Sequence, residues 1–143
     1  GVGSPGLCAI AAPETEETRA VATTAKLAFA EIGRLRESGD LDAGRRRAQE
    51  ALDACLAVSA GRSSELIAFS TWALGQEMWK LSVVRSTALA WGHDLKHSLR
   101  TLPAEHPDLQ LARGNLAVTL RKLGDLQGAR SLEERYIPSS AAI

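Results

Sequence analysis

His93 and His97 stand four residues apart with Asp94 beside them, a spacing that places two imidazoles on one helix face and can chelate zinc. A catalytic zinc centre also needs a third ligand and a positioned base. His106 could supply the ligand only if its loop folded back, so a polar outer helix face is the more economical reading. Cys8 and Cys55 lack CxxC spacing; Cys8 sits in a Gly/Pro/Ala-rich head and Cys55 within an apolar helical pattern, as a small buried apolar residue would. No GxSxG, HExxH, P-loop or dinucleotide fingerprint occurs. Ser63-Ser64 and Ser139-Ser140 have no evident His and acid partners. The expectation is a non-enzyme without metal or cofactor, with a helical metal-dependent enzyme built on His93 and His97 as the distant alternative.

The second group of candidates suits binding. Phe69, Trp72, Gln76, Trp79 and Lys80 follow one another at spacings of three, four, three and one, which aligns them as one helical stripe. Aromatic anchors supply contact area and the polar groups fix register. The competing reading makes Trp72 and Trp79 core between adjacent helices. Lys+Arg and Asp+Glu both total 17, so no long-range field attracts nucleic acid or an anionic membrane. The tight run Arg45-Arg46-Arg47 fans around a helix and reads as a solvated face. No apolar stretch reaches about 18 residues, so no membrane span is expected.

These side chains must ride on helices. Hydrophobic residues are 45% and aromatics 4%, with abundant Ala, Leu and Arg, a balance that favours an all-α fold. Residues 1–15 show no periodicity and read as a flexible or extended head. Val21, Ala25, Ala28, Ile32 and Leu35 then recur at helical spacing from Glu16 to about Glu37. Asp40 is placed to cap a second helix ending near Gly61, Ser63 or Ser64 a third, and Ser82 a fourth that runs from Val83 to Thr101. Pro103 and Pro107 bracket a break before a fifth helix, Asp108–Leu123. A sixth runs from Leu126 to about Tyr136, where Pro138 and the 138–143 tail end the pattern.

Two breaks match. Gly39-Asp40-Leu41 and Gly124-Asp125-Leu126 lie about 85 residues apart, close to twice 42, and the midpoint falls at Leu81-Ser82. Helical hairpins at a fixed period indicate a solenoid in which each unit buries its face against its neighbours. Leu102-Pro103, His106-Pro107-Asp108-Leu109, Asn115-Leu116-Ala117, Leu120, Leu123-Gly124-Asp125 and Gly128-Ala129 together resemble the kinesin-light-chain type of tetratricopeptide repeat. The resemblance is specific over 103–136, weaker over 64–102 and weakest over 16–61. Leu74-Gly75 with Met78, and Ile32-Gly33, occupy the places of Leu116-Ala117 with Leu120, but Arg36 falls where an apolar residue is expected. Gly75, Ala117 and Ala129 are read as small where helices cross closely.

What the resemblance implies is a short right-handed α-solenoid of about three units, 16–61, 62–102 and 103–137, acting as a protein-binding adaptor. Its first helices would line a concave groove with Phe69, Trp72, Gln76, Trp79 and Lys80, joined by Leu111, Asn115, Val118, Arg121 and Lys122, and by Leu27, Glu31 and Arg34. The family's clamp for a chain-terminal carboxylate is incomplete here. The alternative is a fixed subunit or assembly factor of a larger complex. Without a capping helix, the last unit is expected to expose Leu123, Leu132 or Tyr136 and to bind a partner or a second copy there. The chain begins Gly1-Val2-Gly3 without Met, the form of a processed or excised product, and an intracellular setting is expected.

Overall fold

The computed structural model describes residues 14–60 and 62–141, with Arg135 onward as backbone alone. The described residues form six helices and no strand: α1 (Glu16–Glu37), α2 (Leu41–Val58), α3 (Glu65–Lys80), α4 (Val84–Thr101), α5 (Pro107–Lys122) and α6 (Leu126–Ala141). They pair as three hairpins, α1–α2, α3–α4 and α5–α6, stacked in chain order as in a short solenoid.

Local chemistry accounts for the starts. Asp40 accepts from the Ala43 N–H and Ser64 from the Ile67 N–H, each satisfying a donor that the first turn leaves free, for about 1 kcal/mol apiece. Pro107 occupies the first turn of α5, where its missing N–H costs nothing, and the His106 ring accepts from the Asp108 N–H. Thr15 caps α1 reciprocally with Thr18, and Glu14 accepts from the Ser64 hydroxyl, so the ordered chain begins inside the segment expected to be flexible. Cys8 and the rest of that head lie outside the described residues.

All three hairpin turns close in the same way. The N–H groups of Asp40, Val83 and Asp125 donate to the carbonyls of Leu35, Met78 and Leu120 at 2.9, 2.9 and 2.8 Å, and those of Gly39, Ser82 and Gly124 donate within the same loops. This Schellman pattern needs a left-handed residue at the turn. Gly39 (φ 87°) and Gly124 (φ 88°) supply it without strain, and Ser82 (φ 62°) supplies it at a cost of roughly 1–2 kcal/mol. Ser82 is therefore the turn residue of the middle hairpin and not the cap of α4, which starts at Val84 with no side-chain cap. Five residues after each turn residue stands a small buried one: Gly44, Thr87 and Ala129.

One core joins the first two hairpins. Ala25, Ala28 and Ile32 of α1 meet Ala48, Ala51, Leu52 and Cys55 of α2 and Ile67, Leu74 and Met78 of α3, with Leu81 and Ala90 closing it. The alanines let the helices approach closely. Arg36, out of place as an apolar position, extends its Nε to Glu77 Oε1 at 3.0 Å, and Glu77 is only 3% exposed. Lys80 holds the other Glu77 oxygen at 3.3 Å. The basic run is likewise put to use: Arg45 Nε donates to the Leu81 carbonyl at the end of α3, Arg47 Nε pairs with Glu31 at 2.7 Å, and Arg46 alone stays in solvent without such ties.

Two small-residue expectations separate. A Cβ on Gly75 would collide with the indole of Trp91, which lies on it, so Gly75 is a true close crossing. A Cβ on Gly33 would meet nothing within 4 Å, so Gly33 is not. The third hairpin docks differently from the second. α1 lies beside α3, but α3 and α5 nowhere bring Cα atoms within 8 Å; α5 rests on α4 instead, through Leu95, Leu109 and Ala112 with Leu116 and Leu132. α6 also continues through Pro138 to Ala141, past the stop expected near Tyr136. A proline forfeits one helical hydrogen bond, but at a helix end this need not terminate the run.

Candidate functional site

The gap between α3 and α5 is the candidate site. It is a cleft of about 360 Å³, floored by α4. Phe69 and Trp72 form one wall, Leu111 and Asn115 the other, and Asp94 and His97 rise from the floor. Bulky aromatics on α3 and the like charges of Asp94 and Asp108 line this seam, whereas α1 brings small residues such as Ala22 and Ala25 to the flank it shares with α3. On the other flank of α3 lies a second cleft of about 610 Å³, shared with α1 and lined by Lys26, Phe29, Phe69, Trp72 and Gln76. Phe69 and Trp72 line both. They form a crest, with ring centroids 5.8 Å apart, and Phe69 is 66% exposed.

The nine residues expected in the groove fall into two sets. Phe69 and Trp72 face both clefts, Gln76 the α1–α3 cleft and Asn115 the α3–α5 cleft. Val118, half exposed, lies with Leu111 and Asn115 in a third, outer depression bounded by Leu132. The other four are engaged within the chain. Trp79 stacks on Trp91 at 6.0 Å and carries the Lys122 ammonium 5.6 Å from its ring, a contact of about 0.5–1 kcal/mol that ties the far ends of α3 and α5. Lys80 serves Glu77, and Arg121 pairs with Glu133. The stripe is thus open at the N-terminal half of α3 and closed at its C-terminal end. Of the two readings of the tryptophans, Trp79 follows the packing one, while Trp72 lines the clefts.

Trp91, not singled out by the sequence pattern, is the most buried of the three indoles; its Nε1–H donates to the Trp72 carbonyl at 3.3 Å and so braces the crest from beneath. Glu65 was also missed although it continues the Phe69–Trp72 stripe one turn earlier, and Asp94 and Asp108 were missed because they lie on other helices. Asp94 and Asp108 reach the crest only because α4 passes under the seam and α5 rests on α4. Burial, and then the nearby charge of Asp108, push the Asp94 carboxyl up to about 6. A carboxylate kept from water beside another acid favours a positive group in the cleft.

The histidines serve neighbouring hydroxyls. His93 Nε2 lies 2.9 Å from Ser59 Oγ and its Nδ1 3.4 Å from Thr71 Oγ1, while His97 Nδ1 meets Ser63 Oγ. Ser63, for which the sequence offered no partner, finds one across the hairpin boundary. Burial holds both imidazoles below their ordinary range, helped at His93 by the charges of His97, Lys96 and Arg100. Among the described residues no three His, Cys, Asp or Glu side chains are gathered as metal ligands. Cys55 is fully buried, and burial pushes its thiol up to about 11, far from nucleophilic at neutral pH. No described helix is long and apolar enough to cross a membrane.

No protein-family model matches this chain, and neither a curated protein nor a solved structure matches it.

Proposed function

We propose that the chain is a partner-binding module of the tetratricopeptide type, whose α1–α3–α5 side holds a segment of another protein across the Phe69–Trp72 crest. The segment presents an apolar side chain to the α1–α3 cleft and a basic side chain to the α3–α5 cleft. The observation that carries this reading is the crest itself: a large exposed aromatic beside a half-buried indole, between two open clefts, one of which contains acids and no lysine or arginine. Aromatic anchors at the centre of a recess are what binding hot spots are made of, and a cation over Trp72 near Asp94 gains both ring and carboxylate attraction.

A second reading has its own support. Leu123 (40% exposed) and Leu126 (58%) stand apolar at the outer turn of the last hairpin, as they would in a fixed subunit whose neighbour covers that end. Leu132, expected to be exposed there, instead packs against Leu95, Leu109 and Ala112; the Tyr136 side chain lies outside the described residues.

The test is selection from a random twelve-residue peptide display library against the wild-type chain, with counter-selection on Phe69→Ser. Phe69 is exposed, so its replacement leaves the helices intact by circular dichroism. The expected result is a family of binders carrying Lys or Arg and an apolar residue, whose affinity falls at least tenfold on the variant. Binders that ignore the variant, or none at all, would overturn the groove reading and leave the subunit reading.

A further inference from the structure

His97 also lines a smaller pocket, of about 220 Å³, and its chemistry is the reverse of the acidic cleft. It is enclosed by the end of α2, the connection after it, and α4. Arg62, Lys96 and Arg100 stand around it with His93, His97 and hydroxyl groups, and no Asp or Glu forms part of its wall. Lys96 and Arg100 are one helical turn apart and so share a face of α4, while Arg62 approaches from the connection. Among the described residues none of these three cations has a carboxylate within 4.0 Å. In a chain with 17 basic and 17 acidic residues, three unmatched cations around one recess are a local concentration of charge.

We propose that this pocket binds a phosphate group, either inorganic phosphate or a phosphate monoester, with Arg62, Lys96 and Arg100 supplying the charge and the hydrogen-bond donors. A phosphate monoester carries about −1.5 to −2 charge and three acceptor oxygens at neutral pH, which matches three separate donors better than a planar carboxylate does. At ~30 Å³ per water the pocket has room for about seven waters, enough for a tetrahedral anion with part of its hydration and too little for a nucleotide inside it. The charges of Lys96 and Arg100 help hold His93 below the ordinary imidazole range, while Glu65 and Glu14, outside the wall, act on His97 in the opposite sense. Neither serine is counted among the ligands, because Ser63 Oγ is engaged with His97 Nδ1 and the Ser64 hydroxyl donates to Glu14. The site shares His97 with the acidic cleft, but its three cations lie outside the partner groove.

The experiment is a titration of the full chain with sodium phosphate at pH 7 and constant ionic strength, followed by two-dimensional amide NMR, with sodium chloride as the control. Lys96→Gln/Arg100→Gln, two exposed positions, is the matched variant. Saturable shifts confined to residues 59–64 and 93–100, weakened at least tenfold in the double variant, are the expected result. Shifts that grow linearly, match the chloride control, or persist in the variant would overturn the proposal. A second arm compares a phosphoserine peptide with its unphosphorylated form. Binding at least tenfold tighter than inorganic phosphate identifies a phosphorylated protein as the source; equal binding identifies the free anion or a small ester.

Discussion

The first two hairpins and the third are built to the same plan but held together differently. α1 to α4 share a continuous core, while α5 and α6 are fastened to the rest mainly where Leu109 and Ala112 of α5 meet Leu95 of α4. The repeat signature runs the other way. The sequence resemblance to a helical repeat is most specific in the third hairpin, where packing is thinnest, and weakest in the first, where Arg36 stands at an expected apolar position and is answered by buried Glu77. A repeat motif records what one hairpin needs to close upon itself; it says little about how firmly that hairpin grips its neighbour. The seam between α3 and α5, where the two helix backbones do not touch, is the acidic cleft.

The largest effect expected from this contrast comes from paired core truncations. Leu52→Ala, in the shared core, should cost about 2–5 kcal/mol and be felt across α1–α4. Leu109→Ala should cost a similar amount but act locally, so that hydrogen exchange accelerates in α5 and α6 while α1–α4 stay protected. Equal acceleration in all six helices would mean that the chain unfolds as one unit and that the contrast has no energetic content.

An intermediate effect concerns the seam. Asp94 ionises less readily in the fold, at about 6, than in the unfolded chain. Its contribution to stability is therefore full below about pH 4 and is lost as pH rises through 6. Asp94→Asn should stabilise the chain at roughly pH 8 by on the order of 1–2 kcal/mol, after allowance for solvent screening of a partly exposed group, and change nothing at about pH 4. Thermal melts of the two proteins at both pH values decide this. A variant less stable at high pH would show that Asp94 has a compensating internal partner, and would remove the case for a cationic occupant.

The smallest expected effect compares the turns. Ser82→Gly gives the middle hairpin the residue that Gly39 and Gly124 give the others, and should stabilise it by about 0.5–1 kcal/mol, the left-handed strain relieved less the greater entropy of an unfolded glycine. Urea midpoints measure it; a loss of stability would mean that the Ser82 side chain contributes something the turn geometry does not reveal.

The sequence by itself determined the helices and their punctuation. Helical periodicity, Asp40, Ser64 and Pro107 as starts, and turns recurring at 39, 82 and 124 are local properties, settled within a few residues by backbone donors and dihedral preferences. Part of the candidate site was legible for the same reason: Phe69, Trp72 and Gln76 share a helix face whatever surrounds them. Only the tertiary structure decided which end of that face is open, that Trp79 is spent on Trp91 and Lys122, and that Trp91 braces the crest. Nor could spacing bring Asp108 to Trp72, or Ser63 to His97, since these residues meet across hairpin boundaries. Such meetings depend on the angle at which one hairpin settles on the next. That angle is set by the summed bulk and charge of facing side chains, a property of pairs of surfaces that no single stretch of sequence contains.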